Sequence, residues 1–245
     1  RVSNGCLLKP LTDEVVMAIG VITNVASLNA QRNLNRTQHS LNTSLQRLSS
    51  GLRINMAADD AAGLAISEKL RAQIRGLGQA ERNANDGISL VQTAEGAMSE
   101  LTSILIRQRE LAVQSANDTV GSVERTFIQQ EVSQLREEIN RIAEVAEFNG
   151  TKLLDGTVTT VSFQVGINDT SNDRILVSID DVHASNLGDS AVTNGVMGVD
   201  VTTITGAREA LNILDEAITD MSRARSELGA TQNRLQVTIA NLATA

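Results

Sequence analysis

From Leu34 to Leu52 the apolar residues fall at Leu34, Leu41, Leu45, Leu48 and Leu52, a heptad seam with one polar gap at Gln38. Gly51 and Asn55 interrupt it. The stretch from Asn55 to Gly63 has a single large apolar residue, which predicts an irregular connector, with Asp59 or Asp60 placed to cap a following helix. A helical pattern resumes near Leu64. Leu70, Ile74, Leu77, Ala84, Ile88, Val91, Met98, Leu105 and Ala112 recur at or near three-to-four spacing. Some fifty residues of helix span roughly 70–75 Å at 1.5 Å per residue, a length suited to rods and bundles. Asn117 to Ser122 breaks the pattern. Val132, Leu135, Ile139 and Ile142 then mark a shorter helix that Asn149-Gly150 ends.

The period next changes to two. Val158–Val165 and Arg174–Ile179 alternate and are rich in β-branched residues, and the polar stretch 166–173 separates them, so a β-hairpin with a longish loop is expected. Residues 183–203 read as loop with a short strand at most. The C-terminal segment carries the clearest repeat. One seam is Leu211, Ile218, Arg225, Gln232 and Ile239; the other is Leu214, Met221, Leu228, Leu235 and Leu242. Polar residues on the first seam only, at Arg225 and Gln232, are the kind that set register. The fold expected is mainly α: an elongated bundle of long coiled-coil-like helices with a small β-hairpin insert.

Composition sharpens this. Aromatic residues are 1% of the chain, three Phe with no Tyr or Trp. A compact enzyme relies on aromatics to fill its core and line its pocket, whereas Leu, Ile, Val and Ala suffice for helices packed side by side. The net charge of −8 argues against nucleic acid, which calls for a basic stripe. The single cysteine, Cys6, excludes an internal disulfide and a cysteine-based metal site. The single proline, Pro10, leaves the rest of the chain free of helix breakers. No apolar run reaches the roughly 18–20 residues of a membrane span. The first ten residues lack the apolar core and cleavage site of a secretory signal. Residues 1–16 therefore read as a leader foreign to the fold.

Catalytic chemistry finds no foothold. His39 and His183 are far apart in sequence, and neither a phosphate-binding loop nor a dinucleotide glycine fingerprint occurs, so no cofactor or metal is expected. The carboxylate pairs Asp59-Asp60, Glu137-Glu138 and Asp180-Asp181 are adjacent in sequence and point apart on a helix, which fits caps and solvated faces. Asn149-Gly-Thr and Asn168-Asp-Thr match the glycosylation triplet, a pattern short enough to arise by chance.

Several long motifs then resemble bacterial flagellin: Thr23–Leu34, Leu48–Asn55, Asp59-Asp-Ala-Ala-Gly63, Arg82-Asn-Ala-Asn-Asp-Gly-Ile-Ser-Leu90, Arg109-Glu-Leu-Ala-Val-Gln114 and Leu228–Leu235. The resemblance covers about 17–165 and 205–245. It implies a filament subunit, exported by the flagellar type III apparatus and polymerised outside the cell. Expected partners are other copies, the export apparatus, the filament cap and the hook-associated proteins. The implied domains are an N-terminal inner-domain helix and connector at 17–62, rod-domain helices and β-hairpin at 63–182, a short loop at 183–204 in place of the variable outer domain, and a C-terminal rod-domain helix at 205–245. The family continues beyond the position of Ala245, so a missing C-terminal inner-domain helix and poor polymerisation are expected. The resemblance also implies a surface read by the vertebrate flagellin-sensing Toll-like receptor. Positions Arg107, Arg109, Glu110, Leu111, Gln114 and Glu131 match it, with Arg107, Leu111 and Gln114 on one helical face. From spacing alone the same face reads as a solvated one with ion pairs within the helix. A hook–filament junction protein and a flagellin-like surface adhesin are the alternatives; the absence of Trp and Tyr speaks against polysaccharide binding.

Overall fold

The computed structural model describes residues 24–188 and 195–244. The expected leader at 1–16, with Cys6 and Pro10, lies outside the described residues. The chain divides into two compact units, Arg1–Lys69 and Leu70–Ala245.

In the first unit α1 spans Val25–Ser50. The Asn24 side chain starts it by accepting from Ser27 N at 3.0 Å, satisfying one of the orphan N–H groups of the first turn. Gly51 stops it in the left-handed region, φ 68°, with its N–H on Arg47 O. No residue of α1 is buried; Leu34, Leu41, Leu45 and Leu48 stand exposed. Of the two connector aspartates, Asp60 caps the following helix as expected, whereas Asp59 turns back onto the connector. Asp59 accepts from Asn55 N and Met56 N, each at 3.2 Å, and Asp60 accepts from Gly63 N at 2.9 Å where α2 begins.

α2 spans Ala61–Ser115, α3 Ser122–Val145 and α4 Ile204–Leu242. In the second unit these three helices build one core. Its α2 column is Ala80, Ala84, Gly87, Val91, Ala94, Met98, Leu101, Leu105, Gln108, Ala112 and Ser115. The steps alternate four and three, which keeps one side of a helix on its neighbours. α3 contributes Arg125, Ile128, Val132, Ile139 and Ala143. Leu70 and Ile74, expected on the α2 seam, are exposed.

The seam of α4 differs in part from the expected one. Leu214, Met221, Leu228 and Leu235 are buried, but Leu211, Ile218, Ile239 and Leu242 are only half-buried. The second buried column is Ala210, Ala217 and Ala224, one position earlier than expected, and Ala207 extends the Leu214 column. Small residues opposite large ones let side chains from facing helices interdigitate. Arg225 is pushed to the rim, its Nη2 3.7 Å from Glu95 Oε1, and Gln232 is half-buried.

α3 ends at Val145, not at Asn149. Asn149 and Gly150, at φ 51° and 77°, instead turn a hairpin that periodicity did not announce, β1 (Glu147–Phe148) against β2 (Thr151–Lys152). An Asn-Gly pair tolerates positive φ at both central positions, as a tight two-residue turn requires. Leu153 and Leu154 follow it into the core. The expected hairpin is β3 (Thr160–Gln164) against β4 (Arg174–Ser178), with Val161 opposite Val177 and Phe163 opposite Ile175. Ile175 and Val177 face inward while Leu176 points out. A Cβ on Gly87 would stand 3.2 Å from Phe163 and 3.3 Å from Leu235, so the glycine lets the hairpin and α4 close onto α2.

The described part of 183–203 is loop as expected, with one 3-10 turn at Gly195–Gly198, but this loop and the residues just before it are packed into the core. Val182, Ala184, Leu187, Val196, Val199 and Val201 are buried. The strap's backbone is held by polar side chains, because buried peptide groups need partners. Asn140 accepts from Ala184 N, Arg136 donates to Met197 O, and Gln129 accepts from Val201 N at 2.8 Å. Ser115, fully buried, donates to Val201 O at 2.5 Å.

Candidate functional site: the polar crevice of α2, α3 and α4

The part of α2 that follows Leu105 carries polar residues on both flanks of its buried column. Arg107 lies toward α3. Its Nε and Nη2 donate to Glu131 Oε1 at 3.1 and 2.8 Å, and its Nη1 donates to Glu110 Oε2 at 3.1 Å. Arg109 lies toward α4, donating from Nε to Asp215 Oδ1 at 2.5 Å. Two arginines two residues apart thus tie α2 to a different neighbour each. The hydrogen bonds that Arg107 donates to Glu131, then Glu110, raise its pKa, and the one that Arg109 donates to Asp215 raises that of Arg109. Both groups are fixed as cations. All four side chains of these two bridges are about half exposed, so the pairs position the helices more than they stabilise them.

The expected face is only partly assembled. Arg107, Arg109, Glu110 and Gln114 are exposed and Glu131 is half-exposed, but Leu111 is 2% exposed and belongs to the core. Its column on α2 sits between Arg107 and the Gln108–Ala112 seam, so it anchors the face from beneath. Gln114 continues the crevice with Thr119, Val120, Glu124 and Phe127, around a shallow hollow of about 550 Å³. Phe127 is exposed; Phe148 and Phe163 are half-buried. Asp215 and Phe127 escaped sequence reading because one lies on α4 and the other off the α3 seam.

Arg125 holds the floor of the crevice. It is 9% exposed, and its Nε and Nη2 donate to Ser115 O and Asn117 O, both at 2.9 Å. A cation there satisfies the terminal carbonyls of α2 and meets the negative end of its dipole. Gln108 is the opposite case. Its Nε2 reaches Val132 O at 3.4 Å, and its Oε1 is buried without a partner. No group of three metal-ligating side chains exists among the described residues.

Residues 21–159 match the family model of the bacterial flagellin N-terminal helical region, and residues 211–245 match that of the C-terminal helical region. The second match overturns the expectation that the family's C-terminal helix is lacking. A flagellin of Halalkalibacterium halodurans is 50% identical over 219 residues, covering 89% of this chain and 78% of the relative. The B-type flagellin of Pseudomonas aeruginosa is 54% identical over 172 residues, covering 70% of this chain but 35% of the relative. The chain therefore spans well under half the length of some curated relatives it matches. Among solved structures, Bacillus cereus flagellin superposes with a TM-score of 0.56 at 30% identity, covering 66% of this chain and 88% of that one. A putative flagellar hook-associated protein of Vibrio parahaemolyticus superposes with a TM-score of 0.66 at 15% identity, covering 77% and 95%, a likeness of fold alone.

Proposed function

Because the chain belongs to the bacterial flagellin family, we propose that it is a non-enzymatic structural subunit that polymerises with further copies of itself into the extracellular flagellar filament. The observation that carries this reading is the match of both helical regions, N- and C-terminal, on a mainly helical frame. The exposed leucines of α1 support it, since such a column is the surface that neighbouring subunits cover in an assembly. The hook–filament junction alternative has only a fold likeness behind it. Export by the flagellar type III apparatus and contact with the filament cap belong to the same proposal. The test is seeded growth: purified chain is added to flagellin filament seeds and length is followed by electron microscopy. Elongation is expected, and seeds that never lengthen at any subunit concentration overturn the reading.

The crevice supports a second role for the same chain, recognition by the vertebrate flagellin-sensing Toll-like receptor. Arg107, Arg109, Glu110, Gln114 and Glu131 offer the contact surface, and Leu111 acts through the packing under Arg107. Arg107→Asp sets a carboxylate against Glu131 and Glu110, and is expected to abolish signalling in receptor-bearing reporter cells. Undiminished signalling removes the crevice from consideration.

A further inference from the structure

The buried core of the second unit is in two pieces. The large one runs from Leu90 on α2 and Leu228 on α4 through the three-helix part to the crevice. The small one holds Ala84, Val165, Ile175 and Leu235, with Ile88 and Ile239 half-buried against it. The division cuts across the β3–β4 hairpin. Val161 and Val177, a facing pair, pack with the large core. In the next inward pair Ile175 belongs to the small core, and Phe163 packs against both.

On α4 the gap between the pieces is polar. From Gly229 to Arg234 no residue is buried. The seam position there is Gln232, a half-buried amide between Leu228 and Leu235. One heptad before it, Arg225 has its Nε buried without a partner, and its contact with Glu95, at 3.7 Å, is longer than a hydrogen bond. A buried donor left unpaired costs stability and does nothing to hold α4 on α2. A Cβ on Gly229 would meet nothing within 4 Å, so packing does not call for glycine, which is a weaker helix former than alanine.

The third helix does not span the gap. α3 runs antiparallel to α2, with Arg125 at Ser115 and Glu131 at Arg107. It ends at Val145, as far past Glu131 as Thr93 is before Arg107. The small core lies beyond that level, enclosed by two helices and the hairpin tip.

We infer that the end of the second unit built on the small core opens as one cooperative piece while the large core stays closed. The piece is the hairpin tip between Phe163 and Ile175 with α4 from Gly229 onward. The polar stretch of α4 is its joint, and the packing of Phe163 on the large core is the contact that breaks. Openings within one fold range from nearly free to the full cost of unfolding, and a piece with so little buried apolar surface falls at the low end.

The experiment is amide hydrogen exchange on the full chain, read residue by residue by NMR and corrected for intrinsic rates. The early set is Val165 N–H, bonded to Asp173 O at 2.8 Å, with the α4 amides of Leu235 and Ile239. The late set is Ile179 N–H, bonded to Thr159 O at 3.1 Å, with the α4 amides of Leu214 and Met221. The early set is expected to exchange about tenfold or more faster than the late one, with a single shared dependence on urea. Leu235→Ala hollows the small core and speeds the early set about a further tenfold, leaving the late set unchanged. Gln232→Leu carries the apolar seam through the joint and slows the early set about fivefold. Equal exchange of the two sets, or a Leu235→Ala effect shared equally between them, means one undivided core and overturns the inference. Fraying of α4 alone overturns it too: Leu235 and Ile239 would then exchange early while Val165 stays with Ile179. Gln232→Leu without effect on the early set removes the joint from α4 and with it the inference.

Discussion

Replacing Arg125 by alanine removes both hydrogen bonds at the α2–α3 corner, to Ser115 O and Asn117 O. Each joins a cationic donor to a backbone carbonyl, a class worth about 1.5–3 kcal/mol where burial excludes water. Two features lower the sum. Asn117 O also accepts from Val120 N, and the guanidinium is 9% exposed, so water can rehydrate part of the corner after truncation. One raises it: the lost charge sits at the negative end of a long helix, worth about 0.3–1 kcal/mol more. The expected cost is about 2–4 kcal/mol. For a unit of this size that lowers the melting temperature by about 5–12 °C, read by far-ultraviolet circular dichroism. Arg125→Met separates causes, since it keeps most of the stem and none of the donors; it is expected to lose nearly as much as alanine. Arg125→Lys, with one charged donor and no fork, should fall between. A shift under about 2 °C for both alanine and methionine would mean that α2 ends satisfactorily without the guanidinium, and the account of the corner is then wrong.

Gln108→Leu is expected to be neutral or to stabilise by about 1 kcal/mol, because it removes a buried oxygen that has no partner and a long bond to Val132 O; urea denaturation reads the change, and a loss beyond 1 kcal/mol contradicts it. Gly87→Leu should cost about 1–3 kcal/mol by pressing on Phe163 and Leu235, with the β3–β4 amides the first to lose protection from hydrogen exchange. The Asn55 and Met56 N–H bonds hold the Asp59 pKa below its usual value. A depressed folded-state pKa contributes stability that is fully present above the ordinary carboxylate value and is lost as pH falls through the depressed one. Exchange of the Asn55 and Met56 amides, corrected for intrinsic rates, should therefore accelerate only in strong acid, and Asp59→Asn should erase that dependence.

The apolar periodicity announced α1, α2, α3 and α4, because in each the leucines, isoleucines and methionines recur with the helix. Where it erred, the cause was the choice of residues to count. The second column of α4 was assigned to Leu211 and Ile218 on hydrophobicity, yet Ala210, Ala217 and Ala224 occupy the interior. In a bundle the inward position goes to whichever residue fits the gap, and opposite large side chains that is alanine. The same preference for size over polarity hid Gln108, Ser115 and Arg125, all at heptad positions facing the core. The loop at 183–203 was legible from its Gly, Ser, Asn and Thr, but its burial was not: that resides in the valines between them, and the partners for its backbone come from Gln129, Arg136 and Asn140, some forty to seventy residues away.

Those long-range partners also explain why the polar crevice was legible only in part. Arg107 and Glu110 are three residues apart on one helix, so their pairing follows from sequence. Glu131 and Asp215 enter through the packing of α3 and α4, which the seams fix only once the alanine column is recognised. The consequence reaches function. With Leu111 withdrawn into the core, the face proposed for receptor contact is a set of charges whose strongest partners are one another, and exposed, mutually satisfied ion pairs contribute little attraction to anything that docks on them. Whatever binds this proposed face must draw its affinity from neighbouring apolar surface, such as the exposed Phe127 that lines the crevice beside Gln114.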